Sequence, residues 1–305
     1  MAGLVVLEKM VMLVLLMLVG FLAAKGKWVD ESFGQKASFL VANVFIVATI
    51  LASVVGMEPL FSGEELVLAV AAVFVLFSIG GILGWVCARL LPLTPGDRTA
   101  AWLSVFFMNN VFIGFPVVEA LFGPSAVFCA ALTGLPFNLL LFSLGVSRLR
   151  AGQGRGRVRL KEVFSPALVA TLVSIVFFLG QIPFPQLVAD TVQTLGGATV
   201  PLSMVIIGIS LSQVPIREAL TDWRAYVVSL VRLILCPLVV WLVLRLFLEG
   251  TTLGVLTVIA ACPSGAMITI LSLRYGVDET FATRVNFVST VLCAGTLPLM
   301  THILL

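Results

Sequence analysis

Asn109-Asn-Val-Phe-Ile-Gly-Phe-Pro116 interrupts one long apolar run of the chain, and Ala261-Cys-Pro-Ser-Gly265 interrupts another. Both stretches put amides, glycine and proline where a continuous helix in an apolar environment would be disfavoured. Their surroundings say what that environment is. Of 305 residues, 60% are hydrophobic and 11% charged, and the mean hydropathy is +1.18. Soluble domains carry about 25% charged residues, so this chain has too little charge to cover itself with a wetted surface. Lipid is its main solvent. A soluble enzyme of two ordinary domains is excluded.

A membrane span needs roughly 20 apolar residues, and polar breaks divide the chain into ten candidates. They run 4–24, 37–56, 65–91, 99–121, 124–147, 165–182, 187–211, 223–247, 253–275 and 279–304. Loops one, three, five, seven and nine hold fifteen of the 18 Lys and Arg residues. Six of these lie between Arg148 and Lys161; the others are Lys25, Lys27, Lys36, Arg89, Arg98, Arg217, Arg224, Arg274 and Arg284. Lys9 and Arg245 fall on the opposite side, where Glu58, Glu64, Glu65, Glu119 and Asp190 also lie, and Arg232 is inside a span. Positive loops face the cytoplasm, so both termini are expected outside it, in a multi-pass protein of the cell (inner) membrane. Residues 1–6 lack the basic start of a signal peptide, and the first run is expected to be a retained span. The basic 148–164 segment is read as a topology-fixing linker rather than a nucleic-acid contact.

That linker lies at the midpoint, between expected units 1–147 and 165–305. An offset of 153 residues places Asn110 on Pro263, Gly123 on Gly276 and Phe128 on Phe281. Five spans per half force the halves to face opposite ways. Inverted repeats with interrupted helices at matching positions mark secondary transporters, with the site where the breaks meet. Pro201, Pro237 and Pro298 are expected only to kink their helices.

The residues around the breaks have a familiar pattern. Asn109-Asn-Val-Phe-Ile-Gly-Phe-Pro116, Leu121-Phe-Gly123 and Asn138 resemble the fourth and fifth spans of the auxin efflux carrier family. Phe164-Ser-Pro-Ala-Leu-Val, Thr199 to Leu211, and Cys262-Pro-Ser-Gly followed by Leu273-Arg-Tyr-Gly276 are similar to its sixth, seventh and ninth spans. That family includes plant auxin exporters and bacterial malate and malonate permeases. The resemblance implies an all-α fold of the bile acid/sodium symporter type, with two inverted five-helix repeats and broken crossover helices in spans four and nine. It further implies a transport domain moving against a scaffold, an organic anion as substrate, and a homodimer. Val47 stands where many members have proline, and no asparagine follows Pro263 closely; both departures bear on substrate rather than fold.

A broken helix offers the positive end of its second half to the cavity, which favours an anion. Expected ligand residues are Asn109, Asn110, Gly114, Pro116, Cys262, Pro263, Ser264 and Gly265. Asn138 and Asn286 on neighbouring spans either complete the ring or bond between helices. Arg232, mid-span, either holds substrate or pairs with carbonyls. No Asp or Glu lies deep in a span and His302 is at the C-terminus, so coupling to a central proton site is disfavoured, while sodium held by carbonyls and hydroxyls stays open. No cofactor or metal is expected. The five cysteines lie in apolar runs without CxxC spacing, which reads as buried free thiols. An ATP-driven pump lacks its GxxxxGK[ST] loop, and an intramembrane hydrolase built on Ser264 lacks a base. A sodium-coupled bile acid symporter relative and a non-transporting receptor or scaffold are the remaining rivals.

Overall fold

In the computed structural model, the described residues are 2–56, 63–150, 164–213, 221–274 and 278–305. Most of the basic linker, together with Glu58, Arg217 and Gly276, lies outside them. Among the described residues every regular element is helical, and the single β-type pairing is an isolated bridge between Met108 and Ser264. The helices are α1 (Ala2–Lys25), α2 (31–52), α3 (Gly63–Leu90), α4 (Pro95–Phe106), α5 (Asn110–Phe122) and α6 (Ala126–Leu149) in the first half. The second half holds α7 (Pro166–Gly180), α8 (Gln186–Gln213), α9 (Trp223–Leu244), α10 (Gly250–Ala260), α11 (Met267–Arg274) and α12 (Thr280–Leu304). Among the described residues six stretches, within α2, α3, α6, α8, α9 and α12, are long and apolar enough to cross a membrane; shorter apolar helices occupy Val11–Lys25, α5, α7 and α10.

Local sequence explains where the helices start. Thr94-Pro95 and Ser165-Pro166 each place a hydroxyl cap before a proline at the first helical position, where the missing N–H costs nothing. The caps are made: Thr94 accepts from the Asp97 N–H at 3.2 Å and Ser165 from the Leu168 N–H at 3.1 Å. Asp30 caps α2 at 2.8 Å and Asp222 caps α9 at 3.0 Å. Glycine explains how closely the helices pack. A Cβ on Gly208 of α8 would lie 1.8 Å from the Met17 carbonyl oxygen of α1, and one on Gly20 of α1 would lie 2.0 Å from the Val205 carbonyl oxygen of α8. Without a hydrophobic drive inside lipid, small residues that let backbones touch are what hold such a pair. The outer faces remain apolar: Leu15, Val19 and Leu22 of α1 and Ile82 of α3 are all exposed, as lipid contact requires. The five cysteines are free and buried, as expected.

Two packing features position the site. Phe106 and Phe107, at the end of α4, stack in an aromatic cluster with Phe77, Trp102 and Phe137, with centroids 4.4 to 6.3 Å apart. Trp102 also donates from its indole to the Gly81 carbonyl of α3 at 3.0 Å. α9 packs on α12 and reaches α3, α4 and α10, so it runs beside both interrupted segments. In α9 and α5 a single wide turn with an i→i+5 bond precedes a proline. Cys236 donates to the Val231 carbonyl before Pro237, and Phe115 donates to the Asn110 carbonyl before Pro116. Such turns absorb the lost donor and the ring's bulk without ending the helix.

Candidate functional site

The helical path stops after Phe106 and resumes at Asn110; it stops again after Ala260 and resumes at Met267. Phe107 is extended, with φ −109° and ψ 113°. The two extended pieces lie against each other in antiparallel register. The Asn109 N–H donates to the Pro263 carbonyl at 2.8 Å and the Gly265 N–H donates to the Phe107 carbonyl at 2.9 Å. Backbone away from water must satisfy its polar groups internally, and each interruption here supplies the partners the other lacks. Pro263, with no N–H, leaves only a carbonyl to satisfy, and Asn109 satisfies it.

Several expected residues come together at this pairing. Ser264 is fully buried; its N–H donates to the Ser289 hydroxyl of α12 at 3.2 Å, while its own hydroxyl has no hydrogen-bond partner among the described residues. Asn110, 2% exposed, donates from its amide to the Thr133 hydroxyl of α6 at 3.0 Å. The Asn109 side chain caps α5 by accepting from the Phe112 N–H at 3.2 Å. Gly265 is needed for close approach, since a Cβ there would lie 3.2 Å from the Met108 carbonyl oxygen. Cys262 is fully buried and its thiol turns back to the Val258 carbonyl at 3.4 Å. Gly114 faces the same helix end, because a Cβ there would lie 2.6 Å from Ile259 Cδ1 and 3.4 Å from Cys262 Sγ.

One expectation needs correction. Gly114 and Pro116 do not unwind their helix; residues 110–122 stay helical, and the interruption is confined to 107–109. The wide turn at Asn110–Gly114 is the reason, for it takes up Pro116 inside the helix. Pro116 is buried in α5, beyond the paired segment.

Among the described residues Arg232 is the largest fully buried side chain, 1% exposed, and its guanidinium bonds to backbone carbonyls. Nε donates to the Cys262 carbonyl at 2.9 Å and Nη1 to the Val105 carbonyl at 3.0 Å. Nη2 donates to the carbonyls of Ala260 at 2.8 Å and Ile259 at 3.4 Å. Val105 lies in the last turn of α4, Ile259 and Ala260 in the last turn of α10, and Cys262 two residues beyond it. Helix ends leave carbonyls short of partners within the helix, and the Ile259 carbonyl also accepts from the Cys262 N–H at 3.2 Å. One side chain on α9 thus closes both helix ends. A carboxylate ion-paired with it is absent among the described residues.

The remaining expected residues stand further off. Asn138 bonds within α6, donating to the Gly134 carbonyl at 2.9 Å. Asn286 reaches the site indirectly: its carbonyl accepts from the Ser289 hydroxyl at 3.1 Å, and Ser289 in turn accepts from Ser264. Glu119, with a buried and unpartnered Oε2, is nine residues along α5 from Asn110, about 13 Å at 1.5 Å per residue. Sequence reading passed over Thr133 and Ser289, the two hydroxyls that hold Asn110 and Ser264. The signal for each is a hydroxyl next to another breaker or polar group within an apolar run: Thr133-Gly134 before Pro136, and Ser289-Thr290 after Asn286.

Comparison with known proteins agrees with the likeness seen around the breaks. The sequence model of a family described as membrane transport protein matches residues 5–147 and 155–301. A protein of Methanothermobacter thermautotrophicus named as an uncharacterized transporter is 27% identical over 301 residues, covering 97% of this chain and 98% of the relative. A second uncharacterized transporter, from Methanocaldococcus jannaschii, is 24% identical over 309 residues, covering 98% and 99%. With matched segments spanning nearly the whole sequence, the chain belongs to the membrane transport protein family, the auxin efflux carrier-like transporters, and is an integral multi-pass membrane protein.

Proposed function

We propose that this protein carries a small organic anion, a carboxylate, across the membrane, binding it where the two interrupted helices meet. The observation that carries the reading is the pairing of 107–109 with 263–265, with the Ser264 hydroxyl buried beside it and unpartnered. An unsatisfied buried hydroxyl costs about 1–3 kcal/mol, which a ligand that fills the site would recover. α5 and α11 begin at the pairing, and their first N–H groups have no partner within their own helix. Anionic groups suit such ends. Glu119 is too far along α5 to oppose them.

In the same reading, α4 with α5 and α10 with α11 are the fourth and ninth of ten spans, the chain is two inverted repeats, and both termini lie outside the cytoplasm. The paired half-helices move as one unit against a scaffold to expose the site to each side in turn. A negative cell interior favours outward movement of an anion by about 2.3 kcal/mol per charge per 100 mV, so no central proton site is required.

Binding tests this reading. The purified protein is titrated with mono- and dicarboxylates, following thermal protection and heat of binding. At least one carboxylate is expected to bind the wild type and to lose affinity in Asn110→Ala. A protein that binds no carboxylate, or binds equally well in a folded Asn110→Ala variant, contradicts it.

A further inference from the structure

We infer that Arg232 sets the charge preference of the site without touching the ligand. The inference rests on the reading above, that an anion binds where the interrupted helices meet. Four helix ends converge there: the C-terminal ends of α4 and α10 and the N-terminal ends of α5 and α11. Each end carries roughly half an elementary charge, negative at a C-terminus and positive at an N-terminus. Left alone, two of each sign nearly cancel, and the site has no preference. Arg232 breaks the tie. Its bonds to Val105 on one side, and to Ile259, Ala260 and Cys262 on the other, put a full positive charge on both negative ends. The positive ends of α5 and α11 are then unopposed beside the unpartnered Ser264 hydroxyl.

The geometry also says why the residue acts through the helix ends. Four of the five guanidinium N–H groups are engaged by these carbonyls, so little is free for a ligand. Arginine is suited to the task because its planar fork addresses several acceptors at once while its charge cannot be lost on burial. Among the described residues no carboxylate pairs with it, so its field reaches the site undiminished. In general, a unit charge roughly 8–10 Å from a monovalent anion, at an effective dielectric of about 20, changes its affinity by about 15- to 30-fold.

The test compares each of acetate, malonate, succinate and benzoate with its neutral amide, in wild type and three variants. Arg232→Lys keeps the charge with fewer bonds, and Arg232→Gln removes it. Cys236→Asp keeps the arginine but sets a carboxylate near it to offset its charge, since Cys236 is buried four residues along α9 from Arg232, a spacing that puts two side chains on one helix face. Wild type is expected to prefer the carboxylate of the best-bound pair, and Arg232→Lys to retain most of that preference. Arg232→Gln and Cys236→Asp are each expected to lose about tenfold or more of it. If Arg232→Gln does not fold, Cys236→Asp carries the comparison. A merely structural role lowers the melting midpoint but leaves the carboxylate-to-amide ratio unchanged, and an unchanged ratio in folded Arg232→Gln or Cys236→Asp overturns the inference. A wild type that binds none of the four carboxylates overturns the anion reading itself, and is told apart by that result.

Discussion

Replacing Gly208 by alanine adds one methyl group where the structure leaves no room for it. Its Cβ would lie 1.8 Å from the Met17 carbonyl oxygen and 2.8 Å from the Phe21 nitrogen. Real Cβ atoms do not approach closer than 3.0 Å, so α1 and α8 must part locally by about 1.2 Å. The obstacle is backbone, which cannot rotate away as a side chain does. Overpacking of this kind costs about 1–3 kcal/mol, and a backbone clash belongs at the upper end. Alanine regains up to about 1 kcal/mol through helix propensity, leaving about 2 kcal/mol net destabilisation. Gly295→Ala is the matched control: nothing lies within 4 Å of its added Cβ, so the propensity gain stands alone and the protein is stabilised by up to about 1 kcal/mol. The assay is the apparent melting midpoint in detergent, read by a thiol-reactive dye, because all five cysteines are buried until unfolding exposes them. Gly208→Ala should melt several degrees below wild type and Gly295→Ala at or above it. If the two variants melt together, the close α1–α8 contact does not exist as described.

Asn110→Ala removes the bond to Thr133 and should cost about 0.5–1.5 kcal/mol of stability, measured by the same melting assay; Thr133→Val should cost a similar amount, and the double variant less than the sum. The Asp222 carboxyl is held below the usual carboxylate range, chiefly by the hydrogen bond from the Arg224 side chain. A lowered folded value means its contribution is full above the ordinary Asp value of about 3.9 and fades as pH falls through the folded value. The melting midpoint of wild type should therefore drop below about pH 4 more steeply than that of Asp222→Asn. A cysteine at Arg155 should react with an impermeant reagent from the cytoplasmic side and not from outside; the reverse result would invert the proposed orientation.

Hydropathy made the long elements legible. The expected run 65–91 is helix Gly63–Leu90, 187–211 is Gln186–Gln213, and 279–304 is Thr280–Leu304. Asn109-Asn110 and Pro263 likewise stand where the helices stop, whereas Asn138, Asn286 and Pro237 lie inside helices that continue, so a lone amide or proline in an apolar run does not by itself mark a break. Pro116 was misleading: a proline's effect depends on whether the preceding turn widens, and nothing in residues 110–115 announces that. Pro237 follows the same kind of wide turn, and α9 continues through it to Leu244. The partners of Arg232 were out of reach for another reason. They are backbone carbonyls, one of them 127 positions away, and carbonyls have no signature in a sequence. The same holds for Gly20 and Gly208, whose meaning appears only when α1 and α8 are seen in contact.

The most direct test of the central claim is flux. Protein reconstituted in liposomes, loaded with a labelled carboxylate that the binding titration selects, is given an imposed membrane potential without sodium or proton gradients. Saturable movement toward the positive side is expected, sharply reduced by Asn110→Ala and reversed in direction when the potential is reversed. A folded wild-type protein that moves no carboxylate, or moves it equally well with Asn110 and Ser264 both replaced by alanine, would contradict the claim that the paired interruptions form the transport site.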